Sequence, residues 1–426
     1  MKTIKTLASA GLVAALAATG AAAQEVNTEV SGEISVWTWP NNDRTFEALM
    51  PAFNEVYPNV TVDVQGYPSG NNVYLNTLQR ALMSNSGPDV AMIEIGMIAQ
   101  LRDRDQFADL RDAPFNAGAM ADQFTDFAWE NVLGADGQVA AVPKHIGPGG
   151  LFYRADIWEE AGYDTDPEAM AELLSDWDAL LEAGKQVAAP NERWIIGSGE
   201  EIVRSYLAQN GLSYFSEDGT HNFDHPVMIE AFDLVGEFAE ADLISPFSAW
   251  TPEWQGAFAR GQFASVIYGN WMGGLLKRAY STEDAGKWRV TFAPAAPNGV
   301  RAFNMGGDYM AVLAGTDNPE AAWAFVTFVV SDPASLEQQY QQDDLYPAFA
   351  PATESDWINF ADPYYGGQNV NEFFAEVQEK LVPLTLHPLD SIAQSAMQTA
   401  VDNVVRGVMS PQEALAQAKE QVEARL

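Results

Sequence analysis

The chain contains no cysteine in 426 residues. That excludes disulfides, thiol nucleophiles and cysteine–zinc sites. It also excludes a lipid-modified N-terminal cysteine, so the mature protein is expected to be free rather than tethered. Basic residues are scarce: 22 lysines and arginines stand against 59 aspartates and glutamates, a formal net charge of −37. So acidic a surface lacks the basic patch that nucleic acid or an anionic lipid face requires, and it attracts cations. Histidine is rare, with four in all. His221 and His225 have a spacing that ligates metal on a helix, but Asp218-Gly219-Thr220 before them and Pro226 after them read as a turn. His387 precedes Pro388 with no visible partner. There is no Gly-x-Ser-x-Gly elbow, no phosphate loop and no dinucleotide fingerprint. Carboxylates abound, but a glycosidase pair is defined by its separation in space. Nothing marks an enzyme, a metal or a cofactor. Adjacent Tyr364-Tyr365 is a pairing seen in ferric iron binding; flanked by Asp362-Pro363 and Gly366-Gly367, it reads as a surface turn. No internal repeat or low-complexity linker appears.

The N-terminus carries the clearest positive signal. Lys2 and Lys5 precede an apolar, alanine-rich stretch from Leu7 to Ala18, too short to span a bilayer comfortably. Ala21-Ala22-Ala23 offers a cleavage site before Gln24. Residues 1–23 are therefore expected to be a secretory signal peptide, removed near Ala23 on export to the periplasm. No later segment is long and uncharged enough to span a membrane.

The length is too great for one comfortable core, so two domains are expected. Glu33 to Trp39 reads as a strand, with Ile34, Val36 and Thr38 on one face and Trp37 and Trp39 on the other. Phe46, Leu49, Phe53 and Tyr57 recur at helical spacing, with Pro51 expected to kink that helix. Val60, Val62 and Val64 alternate as a second strand. Tyr74 to Leu82 forms another helical face, and Val90 to Ile95 is a strand covered on both sides. This β-α-β-α-β order predicts a parallel sheet with ligands beyond the carboxyl ends of its strands. Those ends are Trp39-Pro40-Asn41, Gln65-Gly66-Tyr67 and Glu94.

The chain is organised around Val139 to Trp158. It reads as a strand, a break at Pro143-Lys144-His145, a Gly/Pro elbow at Gly147 to Gly150, and a second strand, Leu151 to Tyr153. This is expected to be the first crossing between two lobes, with the ligand cleft beside it. Farther on, Ser175 with Asp178 is a plausible helix cap. Ile195 to Gly197 reads as a short strand with Glu200-Glu201 beyond its end, and Phe263 to Tyr268 as a strand ending in Gly269-Asn270-Trp271. Asn318-Pro319-Glu320 and Ser410-Pro411-Gln412-Glu413 read as helix starts, the second with a capping box. Aromatic residues beside small polar and acidic ones at strand ends suit a carbohydrate: sugar faces stack on Trp or Tyr while hydroxyls pair with Asn, Asp, Glu and Lys. Trp39 and Trp271 stand out for this, each being next to an asparagine at a strand end.

Several segments together resemble the family 1 extracellular solute-binding proteins, the sugar-binding, maltose-binding-protein-like group. They are Phe53 to Val62; Gly87-Pro88-Asp89-Val90; Ala141-Val142-Pro143 with Leu151 to Asp156; Phe258 to Ala264 with Gly269-Asn270-Trp271; and Gly306-Gly307-Asp308 with Asn318 to Trp323. The pattern departs at Leu174-Ser175-Asp176-Trp177, where the family usually has Pro-x-Thr before the Trp. The resemblance implies an α/β fold of two lobes with a cleft between them, closing by hinge bending on a solute, most simply a mono- or oligosaccharide. It also implies a monomer that delivers its ligand to ABC permease subunits with a cytoplasmic ATPase. Lobe one is expected at 24–143 plus 305–342, and lobe two at 144–304 plus 343–426. A receptor for a cationic, polyamine-type solute and an exported glycoside hydrolase are the alternatives. The ligand-binding residues expected are Trp39, Asn41, Asn42, Tyr67, Glu94, Lys144, His145, Glu200, Glu201, Trp271, Gly307 and Asp308, with Trp271 as the stacking tryptophan of lobe two.

Overall fold

The computed structural model describes residues 27–68 and 73–426; the expected signal peptide lies outside them. The first half of the chain forms β1 (Ser31–Thr38), β2 (Asn59–Gly66), β3 (Val90–Glu94) and β4 (Val142–Arg154). The second half forms β5 (Ser265–Gly269), β6 (Trp288–Thr291), β7 (Asn304–Val312) and β8 (Tyr346–Pro347). As the β-α-β-α-β order predicts, β1 runs parallel to both β2 and β3. The helix Asn42–Val56 buries Phe46, Leu49 and Phe53 against this sheet and runs through Pro51 as one element. The returning strand β7 adds antiparallel to β3, with Glu94 opposite Asp308.

The expected break and elbow between Pro143 and Gly150 is not there. β4 is a single strand of 13 residues, buried throughout. Its register on β7 shifts between Pro143 and His145 and again between Ile146 and Pro148. Those irregularities absorb prolines, which have no N–H to give a ladder. The glycines allow close approach rather than a turn: a Cβ on Gly147 would lie 2.5 Å from the Met305 carbonyl oxygen. From Val142 to Pro148 the strand pairs with β7; from Gly149 to Arg154 it pairs with β5 and β6. Two α/β lobes thus share one strand. β8 closes the crossing region by pairing Tyr346 and Pro347 with Ile146 and His145.

Other local expectations were altered by tertiary contacts. The cap of the helix Trp177–Val187 is Asp176, which accepts from Ala179 N, rather than Ser175 with Asp178. Ile195 to Gly197 is no strand: Trp194 and Ile196 make isolated bridges to Phe263 and Ile244, and Gly199 opens a helix to Gln209. Asn318 precedes the helix Pro319–Ser331 without capping it, its amide donating to Glu33 O instead. The capping box at Ser410 and Glu413 is present. Tyr364 and Tyr365 occupy a turn but are buried, with Lys277 Nζ 5.1 Å from the centre of the Tyr365 ring. The apolar faces of both rings outweigh the turn chemistry around them. Among the described residues no helix is long and apolar enough to cross a membrane.

Candidate functional site

Most of the expected residues gather into three groups along the junction of the lobes. The first is a buried polar knot on β4. Lys144 is 1% exposed; its Nζ donates to Asn42 Oδ1 at 3.3 Å and lies 4.0 Å from Asp308 Oδ2. His145 Nδ1 lies 2.8 Å from the same carboxylate. Burial holds the Lys144 ammonium below the ordinary lysine range, against the opposing pull of Asp308 and Asp343. Asp343 accepts from Thr45 Oγ1. Lys144 therefore links β4, β7, the start of the helix Asn42–Val56 and the end of the helix Pro333–Asp343. Gly307 lies in the same ladder, opposite Ile146.

The second group faces across a cavity of about 130 Å³ between the lobes. Glu94, at the carboxyl end of β3, caps the helix Ile95–Leu101 by accepting from Gly96 N at 2.7 Å. Opposite it, Arg204 Nη1 pairs with Glu200 Oε1 at 3.3 Å, one helical turn away. Burial pushes the Glu94 carboxyl up to about 7, although Arg204 and the Gly96 N–H draw it down.

The third group is aromatic. Trp271 directly follows the residues closing β5, is half-buried, and donates from Nε1 to Met305 O at 2.6 Å. Its ring lies 5.8 Å from that of Trp250 and 5.6 Å from that of Tyr268. Trp250 is the exposed member, at 37%, with a positive φ of 69°. A Cβ on Gly306 would meet Trp271 Nε1 at 2.7 Å, so the bare backbone of Gly306 is what lets the indole lie against the crossing.

Other expected residues fall elsewhere. Trp39 packs edge-on against Tyr74 and Tyr67 against Trp37, a separate aromatic cluster on lobe one at the ends of β1 and β2. Asn41 is exposed, its N–H turned to Asp43. Glu201 lies inside lobe two: Oε2 accepts from Ile267 N at 2.8 Å, and burial raises its carboxyl well above the usual range. The helix that presents Arg204 to the cavity turns Glu201, the residue after its ion-pair partner Glu200, onto β5. Sequence reasoning missed Trp250, and it missed Arg204, Tyr214 and Asn304, which line the cavity. Only Arg204 left a legible sign, its four-residue spacing from Glu200; Trp250 is brought to Trp271 by folding alone.

Two lobes sharing a strand, with charged and aromatic groups meeting between them, are the build of a bilobal ligand-binding protein. Residues 37–335 match the model of the bacterial extracellular solute-binding proteins, and the chain belongs to that family. It is 26% identical over 360 residues to a lactose-binding protein of Rhizobium radiobacter, covering 81% of this chain and 82% of that protein. It is 24% identical over 414 residues to an arabinooligosaccharide-binding protein of Halalkalibacterium halodurans, covering 93% and 90%. Among solved structures, it superposes at TM-score 0.76 on an ABC transporter associated binding protein from B. animalis subsp. lactis in complex with β-1,6-galactobiose, with 24% identity and coverage of 92% and 96%.

Proposed function

We propose that this chain is an exported carbohydrate receptor of an ABC importer, closing on its ligand by hinge bending. The observation that carries the reading is the Trp250–Trp271 pair beside the Glu94–Arg204 cavity: an aromatic surface for a sugar face next to charged groups for its hydroxyls. The lactose- and arabinooligosaccharide-binding relatives support the ligand class. The change of partners along β4 between Pro148 and Gly149, with β7 pairing from Asn304, supports crossings between the lobes at those points, a few residues beyond the 143/144 boundary read from sequence. The protein acts as a periplasmic monomer that hands its ligand to membrane permease subunits and performs no chemistry on it.

A thermal-shift screen with titration calorimetry tests this, because a ligand of the native state raises the melting temperature by mass action. Galactose- and arabinose-based mono- and disaccharides, lactose included, are expected to stabilise the protein. Stabilisation by spermidine or putrescine and by no sugar would overturn the carbohydrate reading in favour of a cationic solute. Reducing sugar released from an oligosaccharide would establish a hydrolase.

A further inference from the structure

The lobes also touch outside the strands that cross between them. The helix Ile95–Leu101 belongs to lobe one: it continues β3 and packs on β7. The helix Asp390–Val405 belongs to lobe two, packed on the helices Gly199–Gln209 and Pro226–Glu240. These two helices meet, and Gln100 Nε2 donates to Ser391 Oγ between them. Each end of that bond is fixed within its own lobe. Gln79, on the helix Val73–Met83, donates to Gln100 Oε1 at 3.1 Å, which leaves Nε2 of Gln100 free to face lobe two. Ser391 follows Asp390, whose Oδ2 accepts from Ser213 Oγ and from His387 N, both at 2.8 Å, and whose Oδ1 accepts from Phe215 N at 3.2 Å. The start of that helix is thereby tied to residues 213–215 of lobe two. Ser391 borders both the cavity between Glu94 and Arg204 and a groove of about 480 Å³. Leu75 and Arg104 of lobe one and Ile392 and Arg425 of lobe two line that groove.

We propose that Gln79, Gln100 and Ser391 form a clasp that holds the lobes together without ligand and sets how often they part. The proposal rests on the hinge bending of the proposed function and on no particular ligand. Position supports it. Gln100 lies nearly two helical turns past Glu94, about 9 Å beyond the level at which Asp308 pairs with Glu94 and His145 across the sheet. Rotation of one lobe about the crossing strands that moves Gln100 by about 1 Å stretches its bond to Ser391 past hydrogen-bonding range. Asp343 also joins the lobes, accepting from Thr45 and from Arg278, but it lies just before β8 at the crossing itself, where the same rotation moves atoms least. Anchoring supports the clasp too. Gln79 and Asp390 have already ordered the groups at its two ends, so closing the bond costs little further entropy. One hydrogen bond of ordinary net strength shifts a two-state balance about threefold to tenfold. That biases the shut form and still permits opening. A ligand that binds the shut form loses apparent affinity to whatever fraction is parted, so the clasp strengthens binding without touching the ligand.

A chain without cysteine allows a site-specific test. Asn76→Cys in lobe one and Ser395→Cys in lobe two, both on the groove beside the clasp, supply the sole thiols of the mature chain. Nitroxide labels on them report the distance between the lobes by double electron–electron resonance, with no ligand present. Adding Gln100→Ala or Ser391→Ala should raise the ratio of long to short distances about threefold to tenfold. Both together should do no more than either alone, since they remove the same bond. Ser391→Trp, which wedges a ring into the contact, should move nearly all molecules to the long distance. Circular dichroism melts check that each variant is folded, with Ser391→Leu as the wedge if the tryptophan is not tolerated. Unchanged distances in both alanine variants, with lengthening by the wedge, overturn the clasp and leave hinge bending standing. Additive shifts from the two alanines overturn the shared bond. Unchanged distances in every variant, the wedge included, overturn the clasp and hinge bending together.

Discussion

Glu94 is a carboxylate at a strand end that burial keeps protonated up to about pH 7. The folded chain holds that proton more tightly than an unfolded one. Glu94 therefore costs stability progressively as pH rises from about 4.5 to about 7, and the loss is complete above that window. Ligand-free Glu94→Gln should be more stable than the parent at pH 8 by roughly 1–3 kcal/mol, with the difference vanishing near pH 4.5. Urea denaturation at the two pH values checks this, and a difference independent of pH would show that titration of Glu94 is not its source. The two tryptophans should separate by context. Trp250→Ala removes a partly exposed ring and should weaken sugar binding about tenfold to a hundredfold with little change in apo stability. Trp271→Ala also deletes the bond to Met305 O and the packing on Gly306, so it should lose affinity and in addition about 2–4 kcal/mol of stability. Paired melts and titrations of both variants distinguish them; an unchanged apo melting point for Trp271→Ala would contradict its structural share.

At the scale of elements, β4 carries the junction. One strand serves both lobes, and a lysine buried on it faces carboxylates from β7 and from the helix Pro333–Asp343. Removing one member of a buried ionic group leaves its partners uncompensated in a poorly solvated place. Lys144→Met should cost about 2–4 kcal/mol, and adding Asp308→Asn should recover part of that. Chemical denaturation of the two single variants and the double variant measures the coupling. Strictly additive effects would show that Lys144 and Asp308 act independently despite lying 4.0 Å apart.

At the scale of the whole molecule, a net charge of −37 means that folding gathers mutually repelling carboxylates. Added salt screens them over about 10 Å at 0.1 M. Raising sodium chloride from 0.05 to 0.5 M should lift the ligand-free melting temperature by several degrees, on the order of 1 kcal/mol or more. A flat or falling melting temperature would show that like-charge repulsion does not limit stability. Small-angle scattering with and without a binding disaccharide should show the radius of gyration fall on binding; an unchanged profile at saturation would argue against hinge closure.

Sequence alone determined what depends on near neighbours and on pattern. The parallel start of the sheet followed from strand–helix alternation around Ile34, Val62 and Val90. The capping box at Ser410 and Glu413 is local hydrogen bonding, and the family was legible in the order of its segments. Trp271 was placed correctly at a strand end for the same reason. Tertiary structure decided the rest, because the deciding partners are distant in the chain. Pro143 and Gly147 to Gly150 carry every local sign of a break, yet strands more than a hundred residues away hold them in one strand. Glu200 and Glu201 are indistinguishable as neighbours in sequence; the helix's rotation sets one against Arg204, which lines the cavity, and the other under β5. Trp250 and Arg204 became visible only when folding set them beside Trp271 and opposite Glu94, since a site made between two lobes has no contiguous trace in the chain.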